Sequence, residues 1–305
     1  MIIAPGYIGI DISKDHLDVF DGTAQRIANT PEAIDNFVAG LGLPRLVLFE
    51  ATGRYDRHLQ HSLRTAGIGY VRVNPMHARA FARATGQLAK TDRIDARLLA
   101  AMAQALTPQP QPPTDPERLE LADLHRRRAQ LVDGRQQERT RLHSASAAIA
   151  PGILAHIDWL DARIKAIELE IAQLIGSSAT LSLAQSLLRS IPGIGPVSAA
   201  ALLALMPELG QRSAKTFAAL GGLAPINRDS GQYRGQRSIA GGRAEVRRAL
   251  YMAAVTASRS DSRFATSFKA LKAKGKAPKL ALIAIARKLL VTANAILKAN
   301  QPFVA

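Results

Sequence analysis

Four carboxylates in the N-terminal third have the residue types and spacing of a divalent-metal site. Asp11 interrupts an alternating apolar run, Glu50 ends a continuous apolar run, and Asp92 and Asp95 lie three residues apart. Hard oxygen ligands of this kind suit Mg²⁺ or Mn²⁺, which activate a nucleophile and neutralise charge on a phosphodiester. Taken singly, the same residues also fit a turn, a strand end and the negative charges favoured where a helix begins.

A second candidate for chemistry is a serine in a glycine- and arginine-rich stretch over residues 221–243. Ser230 stands in an Asp-Ser-Gly tripeptide, with Arg228, Arg234 and Arg237 nearby. A serine hydroxyl becomes a useful nucleophile at phosphorus when its proton is removed and arginines stabilise the developing charge. Asp-Ser-Gly is also an ordinary turn tripeptide. Ser238, in the same stretch, is a second candidate that equally fits a loop or an N-cap.

Residue types that the chain lacks narrow the chemistry further. There is no cysteine, which excludes disulfides, thiolate zinc sites and a cysteine nucleophile. The 7 histidines lack the His-Glu-x-x-His spacing of a zinc enzyme, and the glycines match neither a P-loop nor a dinucleotide fingerprint. We therefore expect no ATP or NAD cofactor.

Three apolar runs predict the strands that position the first two acids. In residues 7–12 the isoleucines share one face, which leaves Asp11 on the other. Residues 46–49 form a continuous apolar run, typical of a strand covered on both faces, and Glu50 follows it. Residues 69–73 are the third candidate.

A helix predicted over residues 91–106 positions the other two acids. Thr91 is its expected N-cap, and Asp92 and Asp95 lie on a face beside its apolar side. Elements of this kind can converge at one end of a sheet. We therefore predict an α/β domain over residues 1–108.

A proline-rich stretch, 107–114, follows this domain and cannot continue a helix. Residues 117–176 then have the pattern of two long helices broken at Pro151-Gly152, the second with a heptad seam of apolar residues. We predict a linker and an antiparallel coiled-coil hairpin within residues 109–180, which another subunit can complete.

Nearly all the excess charge lies in the last part of the chain. Residues 179–305 hold 19 basic and 4 acidic residues, whereas the whole chain has a net charge of +16. Such a balance favours a polyanionic partner, above all nucleic acid. Lysines between helical stretches predicted at 244–260 and 277–299, among them Lys272, Lys274 and Lys276, are expected to contact phosphate.

A glycine-containing turn begins the C-terminal domain, which we place at residues 181–305. Gly193 and Gly195 precede a small-residue helix predicted over residues 197–206. This pattern suggests a helix-hairpin-helix, whose free backbone N–H groups can hold a phosphate without recognising sequence. We expect this domain to be mainly α-helical.

The sequence gives no sign of a membrane or export signal. Its start lacks the basic region and long apolar core of a signal peptide, and we find no run of about 18 uncharged apolar residues. We expect a cytoplasmic, nucleoid-associated protein with no membrane partner.

Taken together, these motifs resemble the DEDD transposases, a family that includes Piv-type invertases and insertion-sequence recombinases guided by a bridge RNA. The N-terminal motifs are GYIGIDISK (6–14), FEATG (49–53) and KTDRIDA (90–96). The C-terminal motifs are IPGIGP (191–196), GLAP (222–225), SG (230–231) and RRAL (247–250). Both sets occur in the expected order over nearly the whole chain.

The resemblance implies a RuvC-like, ribonuclease-H-like N-terminal domain in which Asp11, Glu50, Asp92 and Asp95 bind the metal. It also implies that Ser230 attacks DNA to form a covalent phosphoserine link. It further implies target and donor DNA, a noncoding guide (bridge) RNA and a homo-oligomer, either a dimer or a tetramer. One departure is SIAGG at 238–242, where the family more often has Ile-Ser-Lys-x-Gly.

Two other functions compete with recombination. A RuvC-like, metal-dependent, structure-specific endonuclease would use activated water and leave Ser230 structural, whereas a recombinase would form a protein–DNA adduct. A nonenzymatic nucleic-acid-binding protein would have a decayed metal site, but all four acids are present.

Overall fold

The computed structural model describes most of the chain and divides it into two compact units, Met1–Pro113 and Thr114–Ala305. The described residues are 3–51, 53, 55–86, 92–110, 115–211, 213–226, 229–230, 233–234 and 237–304, without the side chains of 92–94, 226, 229–230 and 233–234.

The N-terminal unit alternates strands and helices, as the sequence predicts. Its strands are β1 (Tyr7–Ile12), β2 (His16–Phe20), β3 (Ala24–Ala28), β4 (Leu46–Glu50) and β5 (Tyr70–Val73). Its helices are α1 (Pro31–Gly40), α2 (Arg57–Thr65), α3 (Pro75–Ala84) and α4 (Asp92–Leu106). An α/β architecture is thus confirmed for this unit.

The five strands form one mixed sheet in the order β3-β2-β1-β4-β5. β1 pairs in parallel with β4 and β4 with β5, whereas β2 and β3 extend the sheet as an antiparallel hairpin. One face buries the isoleucines of β1 with α1 and α2, and the other packs Leu46 and Leu48 against Leu99 of α4. The central strands are therefore covered on both faces, which explains the continuous apolar run in β4.

The C-terminal unit is mainly helical, as expected. Its helices are α5 (Pro116–Leu142), α6 (Ala150–Ser177), α7 (Ala179–Arg189), α8 (Pro196–Leu205), α9 (Ala214–Leu220), α10 (Ala244–Ala257), α11 (Arg263–Ala273) and α12 (Pro278–Ala299). Four strands of 2 residues each lie between α9 and α10: β6 (Pro225–Ile226), β7 (Asp229–Ser230), β8 (Tyr233–Arg234) and β9 (Ser238–Ile239).

Helices α5 and α6 pack side by side in opposite directions. Arg128 forms an ion pair with Glu168, and Arg135 forms one with Asp161, so that higher numbers on one helix meet lower numbers on the other. The apolar seam of α6 is buried and joins the same core as the C-terminal helices. The hairpin is therefore part of the second compact unit.

Helix α12 contributes one face to this core. Ile285, Leu289 and Leu290 are fully buried against residues of the other C-terminal helices. Of the described helices, α12 is the one long and apolar enough by itself to span a membrane, and 44% of its most apolar window is buried inside the unit. Its apolar residues thus have a structural use in the core.

Several helix boundaries differ from those predicted. Pro151 does not break a helix but lies in the first turn of α6, where proline's missing N–H costs nothing, and the break falls at 143–149. The supposed connection between 260 and 277 contains α11, so Lys272 is helical, and α10 ends at Ala257. The expected N-cap Thr91 lies outside the described residues.

Candidate functional site

Sheet register places two of the predicted acids on neighbouring strands. Ile10 of β1 pairs with Phe49 of β4 in a parallel ladder, so the next residues along each strand are Asp11 and Glu50. Ile10 and Phe49 are buried in the core beneath one face. Because side chains alternate along a strand, Asp11 and Glu50 belong to the opposite face, at the carboxyl ends of their strands.

Helix α4 covers that opposite face and approaches β1 very closely. A Cβ on Gly9 would overlap the Ala96 carbonyl oxygen and would lie 3.0 Å from Cβ of Leu99. Only glycine allows this distance between helix and strand. At the other end of α4, the side chain of Gln104 accepts a hydrogen bond of 2.6 Å from the amide of Ala4.

The direction of α4 determines where the remaining acids lie. Its C-terminal part lies beside the start of β1, so its N-terminal part lies towards the end of β1, where Asp11 is found. Asp95 directly precedes Ala96, the residue that contacts Gly9, and Asp92 lies one turn earlier. The fold therefore brings the backbone positions of all four acids to one face and one end of the sheet.

The side chains of the four acids are described less completely than their backbone positions. Among the described residues, no group of three or more His, Asp or Glu side chains lies close enough to hold a metal ion. The side chain of Asp92 lies outside the described residues. The donor set nevertheless fits a hard divalent cation in chemical type, because it consists of carboxylates alone.

A further acid on this face was missed by the sequence analysis. Asp18 of β2 pairs in register with Asp11 and is only 3% exposed. Its carboxylate accepts two hydrogen bonds of 2.9 Å from Arg26 on β3 and lies 3.6 Å from Nε2 of His16. The alternation of Leu17 and Val19 with Asp18 was the available signal. This ion pair stands directly beside the strand position of Asp11.

In the C-terminal unit, the predicted glycine turn joins α7 to α8. Gly193 has φ +91°, and a Cβ there would lie 2.5 Å from the Ala253 carbonyl oxygen, so the turn packs closely on α10. Gly195 is the N-cap residue of α8 and supplies no side-chain cap. The first N–H groups of α8 have no acceptor within the helix, which is the usual basis of phosphate binding at a helix start.

Ser230 lies on a short strand arm, which we define as residues 225–239 and call the serine arm. Its outer pair joins Pro225 to Ile239 and Ile226 to Ser238, and its inner pair joins Asp229 to Arg234 and Ser230 to Tyr233. The two candidate serines therefore differ in place. Ser238 is exposed on the outer pair, whereas Ser230 belongs to the inner one.

Close contacts between glycines form the base of the serine arm. Gly242 has φ +64°, and a Cβ there would overlap the backbone of Gly222 and lie 2.7 Å from the Leu220 carbonyl oxygen. Nη1 of Arg247 donates hydrogen bonds to the carbonyl oxygens of Gly222 (3.4 Å) and Gly241 (3.0 Å). The two chain segments that enter and leave the arm are thus held together.

Arg243 anchors the outgoing segment to the helical core. Its guanidinium donates hydrogen bonds of 2.9 and 2.6 Å to the two carboxylate oxygens of Glu208 and one of 2.8 Å to the Leu205 carbonyl oxygen. Two-point arginine–carboxylate pairs fix orientation as well as distance. The base of the serine arm is therefore tied to the segment that follows α8.

The basic residues proposed from sequence lie in different settings. Lys272, Lys274 and Lys276 are exposed at the end of α11 and just beyond it. Arg237 is exposed beside β9. Arg228 and the side chains of Ser230 and Arg234 fall outside the described residues.

Comparison with known proteins agrees with both halves of this arrangement. Residues 8–151 match a family of DEDD transposases of IS110 type, and residues 185–269 match the "Transposase IS116/IS110/IS902 family". The chain is 32% identical to the "Pilin gene-inverting protein" of Moraxella lacunata over 97% of both chains, and the Moraxella bovis protein of the same name gives the same values. The chain belongs to the IS110 family of DEDD transposases.

Family membership settles the general activity and supports the fold assignment. This transposase is a recombinase whose substrate is DNA, and the DEDD domain implies dependence on a divalent metal ion. The mixed sheet with flanking helices is consistent with the RuvC-like fold expected from sequence.

Proposed function

We propose that this transposase cuts and rejoins DNA through a covalent phosphoserine intermediate, with an acidic metal site in its N-terminal unit and Ser230 as nucleophile. The observation that carries this proposal is the match over 97% of the chain, which includes both the acid-bearing and the serine-bearing regions. We place its activity in the cytoplasm, on the nucleoid.

The metal site is assigned to Asp11, Glu50, Asp92 and Asp95. The parallel register of β1 with β4 and the close packing of α4 on Gly9 support this assignment, because they bring the four positions to one end of the sheet. Carboxylates of this kind would hold Mg²⁺ or Mn²⁺. When bound, the ion supplies charge neutralisation at a phosphodiester.

Ser230 is assigned the nucleophilic step. Its Oγ forms a bond to phosphorus as the bond from phosphorus to a deoxyribose oxygen breaks, and the proton lost by the serine is balanced by the one gained by that oxygen, which leaves as a hydroxyl. Attack by a deoxyribose hydroxyl on the phosphoserine then restores a phosphodiester and frees Ser230. This exchange conserves bond energy, so rejoining needs no ATP. Arg228, Arg234 and Arg237 would stabilise negative charge on the phosphate.

Other parts of the C-terminal unit are assigned to binding. The turn at Gly193 and Gly195 would act as a helix-hairpin-helix that holds a phosphate on the N–H groups of α8, and Lys272, Lys274 and Lys276 would contact other phosphates. We also propose target and donor DNA, a noncoding guide RNA and a homo-oligomer in which the α5–α6 hairpin acts as a coiled coil.

The decisive experiment compares two serine variants on labelled element-end DNA. Ser230→Ala should bind DNA but form no covalent adduct on denaturing gels, whereas Ser238→Ala should retain adduct, and peptide mapping should identify Ser230 in the wild type. A metal-dependent endonuclease that uses water would cleave without any adduct. An adduct that survives in Ser230→Ala would overturn the assignment.

The acidic site and the guide RNA need separate tests. Alanine at Asp11, Glu50, Asp92 or Asp95 should each abolish strand exchange in a folded protein, and EDTA should do the same. Full activity in EDTA would contradict the metal site. Sequencing of nucleic acid that copurifies with the protein should recover a single noncoding RNA, and its absence would argue against guidance.

A further inference from the structure

A groove between α11 and α12 has a marked surplus of positive charge. Its volume is about 540 Å³, and it is lined by residues from the first half of α11 and the middle of α12. Three of the lining side chains are cationic: Arg263, Arg287 and Lys288. It lies at the other end of α11 from the lysines that the sequence analysis selected.

The described residues that line this groove include no acid. In the part of the chain that the structure describes, none of the three cations forms an ion pair with a carboxylate. Residues 259–288 contain 9 basic residues and a single acid, Asp261, which precedes α11. Repulsion between these like charges raises the free energy of the unbound protein, and a bound polyanion reduces that repulsion.

The groove is also held in shape by its own contacts. The Arg263 guanidinium lies 4.3 Å from the centre of the Phe303 ring and 5.5 Å from that of Phe264, and the two rings stack. The amide of Phe303 in turn donates a hydrogen bond of 2.8 Å to Oγ of Ser190. Across the groove, Nζ of Lys288 donates one of 2.9 Å to Oγ of Ser267. These contacts hold Arg263 and Lys288 in place before a ligand arrives.

The arrangement of charge along α11 suggests an extended ligand. Arg263 and Ser267 are four residues apart and share one face of α11, and Lys274 is the C-cap residue at the other end of the helix. The distance from Arg263 to Lys274 along the axis is about 16 Å at about 1.5 Å per residue. With about 3.4 Å of axial rise between phosphates on one strand of a duplex, this length spans about five phosphates.

We propose that the α11–α12 groove binds the phosphodiester backbone of a nucleic-acid strand, with Arg263, Arg287 and Lys288 as phosphate ligands. None of the described residues that line the groove comes from the serine arm or from the turn at Gly193. The proposal rests on the proposed function in one respect, since that function names nucleic acid as the polymer. DNA and RNA share the recognised chemistry and are distinguished by the experiment.

The test measures the salt dependence of binding by the full-length protein. Duplex DNA of an element end and a hairpin RNA are used as separate labelled probes, between 50 and 200 mM salt. The groove variant carries Arg263→Gln, Arg287→Gln and Lys288→Gln. The matched control carries Arg127→Gln, Arg163→Gln and Lys165→Gln, which remove the same charge from exposed positions on the α5–α6 hairpin.

For the nucleic acid that occupies the groove, the groove variant should reduce the slope of log K against log salt by about 2 to 3, because each lost contact contributes about 0.9 on duplex DNA and about 0.7 on a single strand. The control should change the slope by less than about 1. A charge-retaining variant with Arg263→Lys and Arg287→Lys should keep the wild-type slope, and circular dichroism should show that all variants are folded.

Each outcome has a distinct meaning. Loss of slope with DNA alone assigns the groove to DNA, and loss with RNA alone assigns it to RNA. An unchanged slope with both probes, or an equal change in the control, would overturn the proposal while leaving the proposed function intact. A wild-type protein that binds neither probe would instead contradict the proposed function.

Discussion

The two regions proposed to do chemistry are held by different means. Asp11 and Glu50 lie near the carboxyl ends of central strands that are covered on both faces, and α4 packs against the sheet without room for a Cβ at Gly9. Ser230 lies instead on a strand of 2 residues in an arm whose base is tied by glycines and arginines.

The acids are therefore positioned by the core of their unit, whereas Ser230 is positioned by local contacts at the base of its arm. Strand register and helix packing fix the acid positions as soon as the N-terminal unit has folded. Among the described residues, the contacts that hold the serine arm lie at its base, so a change there can move Ser230 with little effect on the core. Substitutions that disturb the packing of the N-terminal unit should therefore lower both stability and activity, whereas substitutions at the base of the serine arm should lower activity more than stability.

The largest effect is expected from Gly9→Ala. The new Cβ would overlap backbone atoms of Ala96 and Ala100, so α4 must move away from β1. We expect a loss of about 3 kcal/mol in the free energy of unfolding, at the upper end for overpacking, together with loss of recombination. Urea unfolding followed by circular dichroism measures it. In Gly40→Ala the Cβ meets open space, so stability should stay within about 0.5 kcal/mol of wild type; equal stability of both variants would refute the tight helix–strand contact.

Gly242→Ala should come next and should affect activity more than stability. Its Cβ would overlap Gly222 at the base of the serine arm, in a left-handed backbone conformation. We expect about 1–3 kcal/mol of destabilisation and no covalent adduct. Gly241→Ala is the matched control, since φ is +67° there but nothing lies within 4 Å of the Cβ. If both variants lost adduct formation equally, backbone strain rather than the contact between glycines would be responsible.

A smaller effect is expected from Arg243→Gln. The change removes the two-point pair with Glu208, which is partly exposed, so we expect a cost of about 1 kcal/mol and a weaker but measurable loss of adduct formation. Thermal unfolding and the adduct assay measure the two effects. A double-mutant cycle with Glu208→Gln should show that the two changes are not additive. Additive effects would mean that the pair does not anchor the arm.

The smallest effect concerns pH and lies outside both regions. Burial lowers the pKa of His125, which is 8% exposed and whose Nδ1 has no hydrogen-bond partner. As pH falls through about 6.5, His125 is protonated in the unfolded chain but stays neutral in the folded chain. The free energy of unfolding therefore decreases as pH falls. His125→Gln should lose less stability than wild type between pH 7.5 and 5.5, measured by thermal unfolding. Exposed His143→Gln should follow the wild type, and an identical pH profile for His125→Gln would contradict the effect of burial.

The sequence predicts those parts of the fold that have a clear hydrophobic pattern. β1, β4, β5 and α4 are predicted, and the alternation of isoleucines correctly puts Asp11 on the face opposite the isoleucines. β2 was missed although Leu17 and Val19 alternate with Asp18, and β3 was missed because its residues are mostly exposed.

Local pattern fails where tertiary contacts decide. Strands of 2 residues are too short to have a period, so the serine arm appeared only as a loop. Helix α11 was not predicted because its lysines suggested a connection between helices. The position of Arg263 in one groove with Arg287 and Lys288 was not predicted either, because it depends on how two helices pack. The acids were proposed from their types and spacing, and their placement at a common end of the sheet follows from the β1–β4 register and the direction of α4.

The closed base of the serine arm also bears on how its length can vary. Because Gly222 and Gly242 already meet, residues inserted between them would extend a loop whose ends stay in place. Doubling the length of such a loop costs only about 0.6 kcal/mol in closure entropy. Insertions and deletions within the arm are therefore cheap for the helical core, so relatives can lengthen, shorten or exchange this segment while keeping the rest of the C-terminal unit unchanged.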